Sequence, residues 1–296
     1  IHSNLILFSH YQCGHDAGAI RAEHRRWNLR HAVPLAPFIR PHANARSPDR
    51  RLRIGYVSPD FRDHVVGFNL LPLFECHAHE QFEIFSYAHV PASDDFTARF
   101  RACSDHWRDI APLTDPELAD LVRCDEIDIL VDLALHTARN RLLAFARKPA
   151  PVQVSFAGYP TGTGLDAIDY HLTDPRLEPP TPGDDQGSDA PFRLPDTFWC
   201  YSPRAPDLAV RPLPALADGR VTFGCLNNFC KVNDPTLQLW ARVLLAVPGS
   251  RLLLLIPEGA LRQGTLKVLA NASLNPDRVN FVDRQPREKY LSLYDG

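Results

Sequence analysis

The sequence predicts an α/β protein with two Rossmann-like lobes, the second of them incomplete, behind a short helical connector. Three observations support this fold class. Short runs rich in Val, Ile and Leu alternate with helical patterns from about residue 50, the alternation stops in a Pro-rich stretch, and it then starts again. We expect the connector in residues 1–49, the first lobe in residues 50–215 and the start of the second lobe in residues 216–296.

Local patterns predict the elements of the connector and the first lobe. Apolar residues in Ala17–Trp27 recur every three or four positions, as in a helix, and a Pro- and Arg-rich linker follows over residues 34–53. Five strands are then predicted, at residues 52–57, 82–88, 127–133, 152–156 and 170–173. Helices are predicted between them, at residues 68–78, 96–103, 116–123 (with Thr114 as N-cap) and 139–147. This alternation indicates a parallel sheet covered on both faces.

The second lobe follows two Pro-rich stretches, at residues 178–189 and 204–220. Strands are predicted at residues 221–225, 251–256 and 278–282, and helices at residues 234–246 and 260–271. Three strands are fewer than a doubly wound half usually contains. The chain also lacks an initiator Met and ends within a helical pattern over residues 287–295. We therefore expect a fragment whose second lobe is unfinished.

Composition excludes several functional classes. The net charge is −3, and the one basic run, Arg46–Arg53, is too short for a nucleic-acid-binding face. No apolar stretch approaches the roughly 18 to 20 residues that cross a bilayer, and no signal peptide is recognisable, so we expect a cytoplasmic protein without a membrane partner. Seven cysteines at scattered spacings, without a CxxC pair, predict reduced thiols rather than zinc sites or disulfides.

Candidate site residues of the first lobe follow its predicted strands. Ligands of open parallel sheets bind beyond the carboxyl ends of the strands. His64 follows the first strand and precedes a helix, His136 and Thr137 follow the strand at residues 127–133, and Gly158-Tyr159-Pro160 follow the strand at residues 152–156. The alternatives are a solvated or helix-capping His64 and a tight loop without a ligand at Gly158.

In the second lobe, the loop after the strand at residues 221–225 contains Asn227, Asn228 and Lys231. We expect the next helix to be capped by Asp234 and opened by Pro235. A lysine at this position shares a phosphate with the helix amides, so Lys231 is a candidate phosphate ligand. The alternative is an ordinary surface lysine.

These motifs together resemble the O-linked N-acetylglucosamine transferase family, which includes the plant SPINDLY-type protein O-fucosyltransferases. The resemblance extends over residues 50–296 and rests on Arg53–His64, Ala138–Asn140, Lys148–Gln153, Gly158–Pro160, Ile168–Tyr170 with Thr173-Asp174, and Lys231 with Asp234–Trp240. It implies a two-lobed GT-B fold that follows tetratricopeptide repeats. The implied reaction transfers a sugar from a nucleotide donor to Ser or Thr of a protein or peptide, with inversion and without a metal or other cofactor. The implied donor is UDP-GlcNAc, with GDP-fucose as the alternative.

The resemblance also assigns roles. His64 matches the family's active-site histidine, as base or as positioning group, and Lys231 matches the lysine that neutralises the departing diphosphate. Gly158, Tyr159 and Pro160 match the loop that lines the acceptor and donor cleft, and we add His136 and Thr137 to this acceptor-side group. Asn227 is grouped with the donor site, and Asn228 falls where the animal enzymes carry Gln.

The family's later His-Thr-Thr-Gly-Met-Asp stretch is absent from these residues. We therefore expect the 296 residues alone not to transfer sugar. A non-catalytic, peptide-binding scaffold is the rival hypothesis.

Overall fold

A computed structural model describes residues 1–14, 16–47, 49–159, 161–181, 189–201, 209 and 211–295. The chain divides into two compact units. The first comprises Ile1–His10 and His15–Ser202, and the second comprises Tyr11–Gly14 and Pro203–Gly296. The domain boundaries near residues 49 and 215 remain predictions. No helix in the described ranges combines the length and apolar character needed to span a bilayer.

Two helices, α1 (His2–Ser9) and α2 (Ala17–Trp27), open the first unit. A π-helical turn over Asn28–Ala32 and a 3-10 helix over Val33–Phe38 continue the chain, where only a linker was expected from residue 34. The Asp16 carboxylate caps α2 by accepting from the Ala19 N–H at 2.7 Å. Ile6 and Trp27 are buried in the same apolar cluster as residues of the sheet, so both helices belong to the core of this unit.

The first unit contains a parallel sheet whose strands run in the order β3-β2-β1-β4-β5-β6-β7. The strands are β1 (Leu52–Ser58), β2 (Phe82–Ala88), β3 (His106–Asp109), β4 (Ile129–Asp132), β5 (Val152–Ser155), β6 (Tyr170–Thr173) and β7 (Ala190–Arg193). The prediction of five strands was therefore wrong by two. Both missed strands lie at the edges of the sheet: β3 reads His-Trp-Arg-Asp, and β7 contains Pro191, which an edge strand tolerates.

Helices cover both faces of this sheet: α3 (Val65–Glu75), α4 (Asp95–Ala102), α5 (Asp115–Cys124) and α6 (Leu142–Phe145). Tyr56 and Val57, adjacent on β1, belong to different apolar clusters, as expected for a strand buried on both sides. Thr114 caps α5 in a capping box with Glu117, as predicted. The helix expected at residues 139–147 is shorter, because Arg139 (φ +60°) and Lys148 (φ +45°) adopt left-handed conformations.

The second unit is a smaller α/β layer. Its parallel strands β8 (Thr222–Cys225), β9 (Arg251–Leu255) and β10 (Val279–Val282) lie in the order β10-β9-β8. The accompanying helices are α7 (Ala215–Asp218), α8 (Asp234–Ala246), α9 (Ala260–Asn271) and α10 (Arg287–Ser292). The predicted cap of α8 was wrong: the Asn233 side chain accepts from the Thr236 N–H at 3.0 Å, and Asp234 is the first helical residue.

Candidate functional site

The loops that follow β1, β4 and β5 meet at one edge of the first sheet, because these strands are parallel neighbours. Asp132, at the end of β4, organises the middle loop. Its fully buried carboxyl group accepts from the Leu135 N–H at 2.7 Å and the Ala134 N–H at 3.3 Å. Burial outweighs these hydrogen bonds and raises the pKa of Asp132 to about 7. The resulting turn, with Leu135 at φ +49°, leads directly into His136 and Thr137.

His64 is the N-cap of α3. Its Nδ1 accepts from the Val66 N–H at 3.2 Å, which places the proton of the neutral ring on Nε2. Burial lowers the pKa of His64 even though the Asp60 carboxylate, 3.5 Å from Nδ1, opposes the shift. The His64 side chain is 34% exposed. The capping alternative is therefore realised, and the remaining ring nitrogen is a hydrogen-bond donor.

His136 is fully buried and acts within the protein interior. Its Nε2 donates to the Thr163 carbonyl at 2.9 Å, and its Nδ1 lies 3.3 Å from the Ser3 hydroxyl. The ring stacks on His24 at a centroid distance of 5.1 Å and meets Trp27 edge-on at 4.9 Å. Burial lowers the pKa of His136 to about 3, so the ring is neutral. This histidine joins α2 to the loop that follows Tyr159.

Thr137 and Gly158 lie against the same turn. The Thr137 hydroxyl donates to the Ala134 carbonyl at 2.7 Å. Ala157 (φ +62°) and Gly158 (φ +36°) are both left-handed. A Cβ atom on Gly158 would come within 2.6 Å of a Leu135 methyl group. The loops that follow β4 and β5 therefore pack so closely that only glycine fits at this position.

Tyr159 packs edge-on against His10, with ring centroids 5.2 Å apart. Pro160 lies outside the described residues. The cleft-loop role of these residues therefore stays a prediction, although their packing against the β4 turn is now described.

A group of three imidazoles was not predicted from the sequence. His10 and His24 have ring centroids 6.0 Å apart, and His24 stacks on His136. Burial lowers the pKa of His24 to about 4. The one available signal was the placement of His24 on the same face of α2 as Trp27, three residues later. His136 comes from another part of the chain, so local periodicity could not reveal the group.

The donor-site candidates belong to the second unit. Lys231 ends a 3-10 helix, Phe229–Lys231, whose buried Phe229 anchors it to the core. The Asn228 side chain caps this helix by accepting from the Cys230 N–H at 3.3 Å. Asn227, Asn228 and Lys231 are exposed, and Lys231 forms no ion pair with any described residue. Its position shortly before α8 matches the expected arrangement.

Metal ligation has no visible basis in the described ranges. No group of three or more His, Cys, Asp or Glu side chains is arranged there to hold a metal ion.

Comparison with known proteins gives concordant matches. The profile of glycosyl transferase family 41 matches residues 9–202. A Petunia hybrida protein named probable UDP-N-acetylglucosamine–peptide N-acetylglucosaminyltransferase SPINDLY is 38% identical over 287 residues, covering 95% of this chain and 30% of that protein. An Arabidopsis thaliana protein named probable UDP-N-acetylglucosamine–peptide N-acetylglucosaminyltransferase SEC is 29% identical over 270 residues. The match covers 87% of this chain and 27% of that protein.

Among solved structures, a mutant O-GlcNAc transferase of Thermobaculum terrenum superposes with a TM-score of 0.89 at 38% identity. The superposition covers 99% of this chain and 56% of that one. The GT-B expectation is therefore confirmed. The chain spans about 30% of the length of the SPINDLY relative.

Proposed function

The chain belongs to glycosyl transferase family 41, and from this we propose that the protein transfers N-acetylglucosamine from UDP-GlcNAc to Ser or Thr hydroxyls of proteins. The transfer inverts the anomeric centre and uses no metal. One observation carries the proposal: an exposed lysine that forms no ion pair with the described residues follows β8 and precedes a capped helix, in a chain of this family. The proposed partners are a protein or peptide acceptor and a UDP-sugar, and the proposed location is the cytoplasm.

Lys231 is assigned to the leaving group. Displacement at the anomeric carbon builds negative charge on the departing diphosphate, and a fixed cation beside helix amides stabilises that charge. Asn228 shapes the backbone around Lys231. Its side-chain oxygen accepts from the Cys230 N–H, and its carbonyl oxygen accepts from the Lys231 N–H. In this proposal Lys231 stabilises the charge that Mg²⁺ stabilises in other sugar and phosphoryl transfers.

His64 is assigned to positioning. Because Nδ1 accepts the Val66 N–H, the neutral ring offers Nε2–H as a donor rather than a lone pair. This arrangement supports a role in which His64 donates to the acceptor or donor substrate, and a phosphate oxygen of the donor receives the acceptor proton. A base role would require His64 to give up the cap on α3.

The donor identity has a second candidate. The SPINDLY relative is more similar to this chain than the SEC relative, at 38% against 29% identity. The resemblance to the SPINDLY type implies GDP-fucose as the alternative donor. Separate calorimetric titrations with UDP-GlcNAc and GDP-fucose distinguish the two, since the preferred donor binds more tightly.

The central test is Lys231→Ala in the native protein that contains this chain. We expect turnover to fall by about two to three orders of magnitude, as for the loss of one strong contact to a developing anion. Lys267→Ala is the matched control, because Lys267 is an exposed lysine of the same unit on α9. Equal rates for the two variants would refute the assignment, and absence of transfer by the wild type with either donor would favour a non-catalytic scaffold.

A further inference from the structure

On the basis of the proposed function, we propose that Asp189 is a positioning residue for the cleft loop. The cleft loop is defined here as residues 158–164, without Pro160, which lies outside the described residues. Asp189 immediately precedes the edge strand β7, 25 residues after Gly164. No feature of the sequence pointed to it, because its contacts are made across the fold.

The carboxylate of Asp189 holds the second half of the cleft loop. One oxygen, Oδ2, accepts from the Gly164 N–H at 2.7 Å and from the Thr163 hydroxyl at 3.3 Å. Gly162 lies so close that an added Cβ atom would come within 2.4 Å of the same oxygen. Gly164 is itself left-handed, at φ +69°. An acidic side chain that is only 10% exposed therefore bonds two residues of the loop, Thr163 and Gly164, and packs closely against a third, Gly162.

A fixed cation holds Asp189 in turn. His171 on β6 donates from Nδ1 to the Asp189 carbonyl at 2.7 Å and from Nε2 to the Glu178 carboxylate at 2.8 Å. Its Nδ1 also lies 3.4 Å from the Asp189 carboxylate. Burial alone would lower the pKa of His171, but its bonds to Asp189 and Glu178 raise the pKa to about 9. The imidazolium stays charged at neutral pH and ties β6 to the start of β7.

The effect of Asp189 extends through the cleft loop to His136. Thr163 is fully buried, and its carbonyl receives the Nε2–H of His136. A loop fixed by Asp189 thus also fixes the tautomer of His136, which in turn stacks on His24 of α2. Displacement of the loop would shift Gly158 and Tyr159, and misplacement by about 1 Å at a reacting site costs up to a hundredfold in rate.

Asp174 offers a matched control. It is 3% exposed and lies one residue beyond β6. Its carboxylate likewise accepts backbone N–H groups, from Arg176 at 2.8 Å, Leu177 at 2.9 Å and Phe198 at 2.7 Å. These bonds hold a different segment, so a general loss of stability affects both variants while a positioning effect is confined to Asp189.

The experiment compares Asp189→Ala, Asp189→Asn and Asp174→Ala in steady-state transfer. For Asp189→Ala we expect the acceptor KM to rise at least about tenfold while the donor KM stays within about twofold, because the donor-site candidates lie in the other unit. Asparagine keeps an oxygen that accepts from Gly164, so Asp189→Asn should recover most of the loss and keeps the test informative if the alanine variant does not fold.

Two results would overturn the positioning role. One is an acceptor KM within about twofold of the wild type in Asp189→Ala. The other is an equal rise in Asp174→Ala.

Amide hydrogen exchange separates this inference from the proposed function, because it needs no activity. We expect the Gly164 amide to exchange at least about tenfold faster in Asp189→Ala and unchanged in Asp174→Ala. A wild type that transfers no sugar, combined with this exchange pattern, refutes the proposed function and supports the positioning of the loop. Unchanged exchange at Gly164 in Asp189→Ala refutes the role of Asp189, whatever the activity.

Discussion

Replacement of His64 by alanine and by asparagine separates its cap from its chemistry. Alanine removes both the imidazole and the acceptor for the Val66 N–H, whereas asparagine is among the preferred N-cap residues and retains an acceptor. Loss of an N-cap costs about 1 kcal/mol. We therefore expect His64→Ala to weaken the first turn of α3 by about that amount and His64→Asn to leave it within a few tenths of a kcal/mol.

Hydrogen exchange of the α3 amides is the suitable assay, because a chain of two units need not unfold in one step. A loss of about 1 kcal/mol corresponds to roughly fivefold faster exchange at Val66 and Phe68 in His64→Ala. Transfer activity should fall by up to about a hundredfold in both variants, since both lack the ring that positions the substrate. Faster exchange in His64→Asn as well would refute the capping argument, and full activity in His64→Asn would refute a role for the ring.

The stability of α3 should depend on pH through the same residue, His64. Burial holds the folded pKa of His64 below its ordinary 6.5, so the unfolded chain binds the proton more readily. The stability contributed by the cap is complete above pH 6.5 and is lost as the pH falls through the folded pKa. We expect the pH dependence of the protection factors of the α3 amides, which are corrected for intrinsic exchange, to weaken in His64→Asn.

Two further predictions concern stability. His24 and His136 have folded pKa values of about 4 and about 3, below the ordinary 6.5, so their contribution to stability is complete above pH 6.5 and declines as the pH falls toward 4. At pH 5 each should contribute about 2 kcal/mol less than at neutral pH, and equal protection factors of the α2 amides at pH 5 and pH 7, after correction for intrinsic exchange, would contradict this. Ala157→Gly should stabilise the first unit by about 0.5 to 1 kcal/mol, because glycine relieves a φ of +62°. Its control, Ala98→Gly within α4, should destabilise by about 1 kcal/mol, and chemical unfolding followed by circular dichroism measures both changes.

Sequence reasoning succeeded where local chemistry specifies the structure. The strand over residues 82–88 and the helices over residues 234–246 and 260–271 were predicted to the residue, because their apolar patterns end at clear turn signals. It failed at β3 and β7, whose pairing with a neighbour, rather than their composition, makes them strands.

In the candidate site, too, the features set by local sequence were predicted and the contacts between distant residues were not. The strand-end position of His64 follows from topology and was predicted, and so was the family. The contacts of Asp189 and the stack of His24 on His136 join residues that are far apart in the chain, and no periodicity records such contacts.

The buried carboxyl group of Asp132 takes up a proton when the chain folds. Its pKa is about 7 in the folded chain against an ordinary 3.8, so at pH 6 folding draws about one proton from the buffer at this residue. That proton carries the buffer's heat of ionisation, so at pH 6 the difference between the folding enthalpies measured in phosphate and in Bis-Tris should change by the equivalent of about one proton in Asp132→Asn. The turn before His136 thus exchanges a proton near neutral pH through a residue that solvent does not reach.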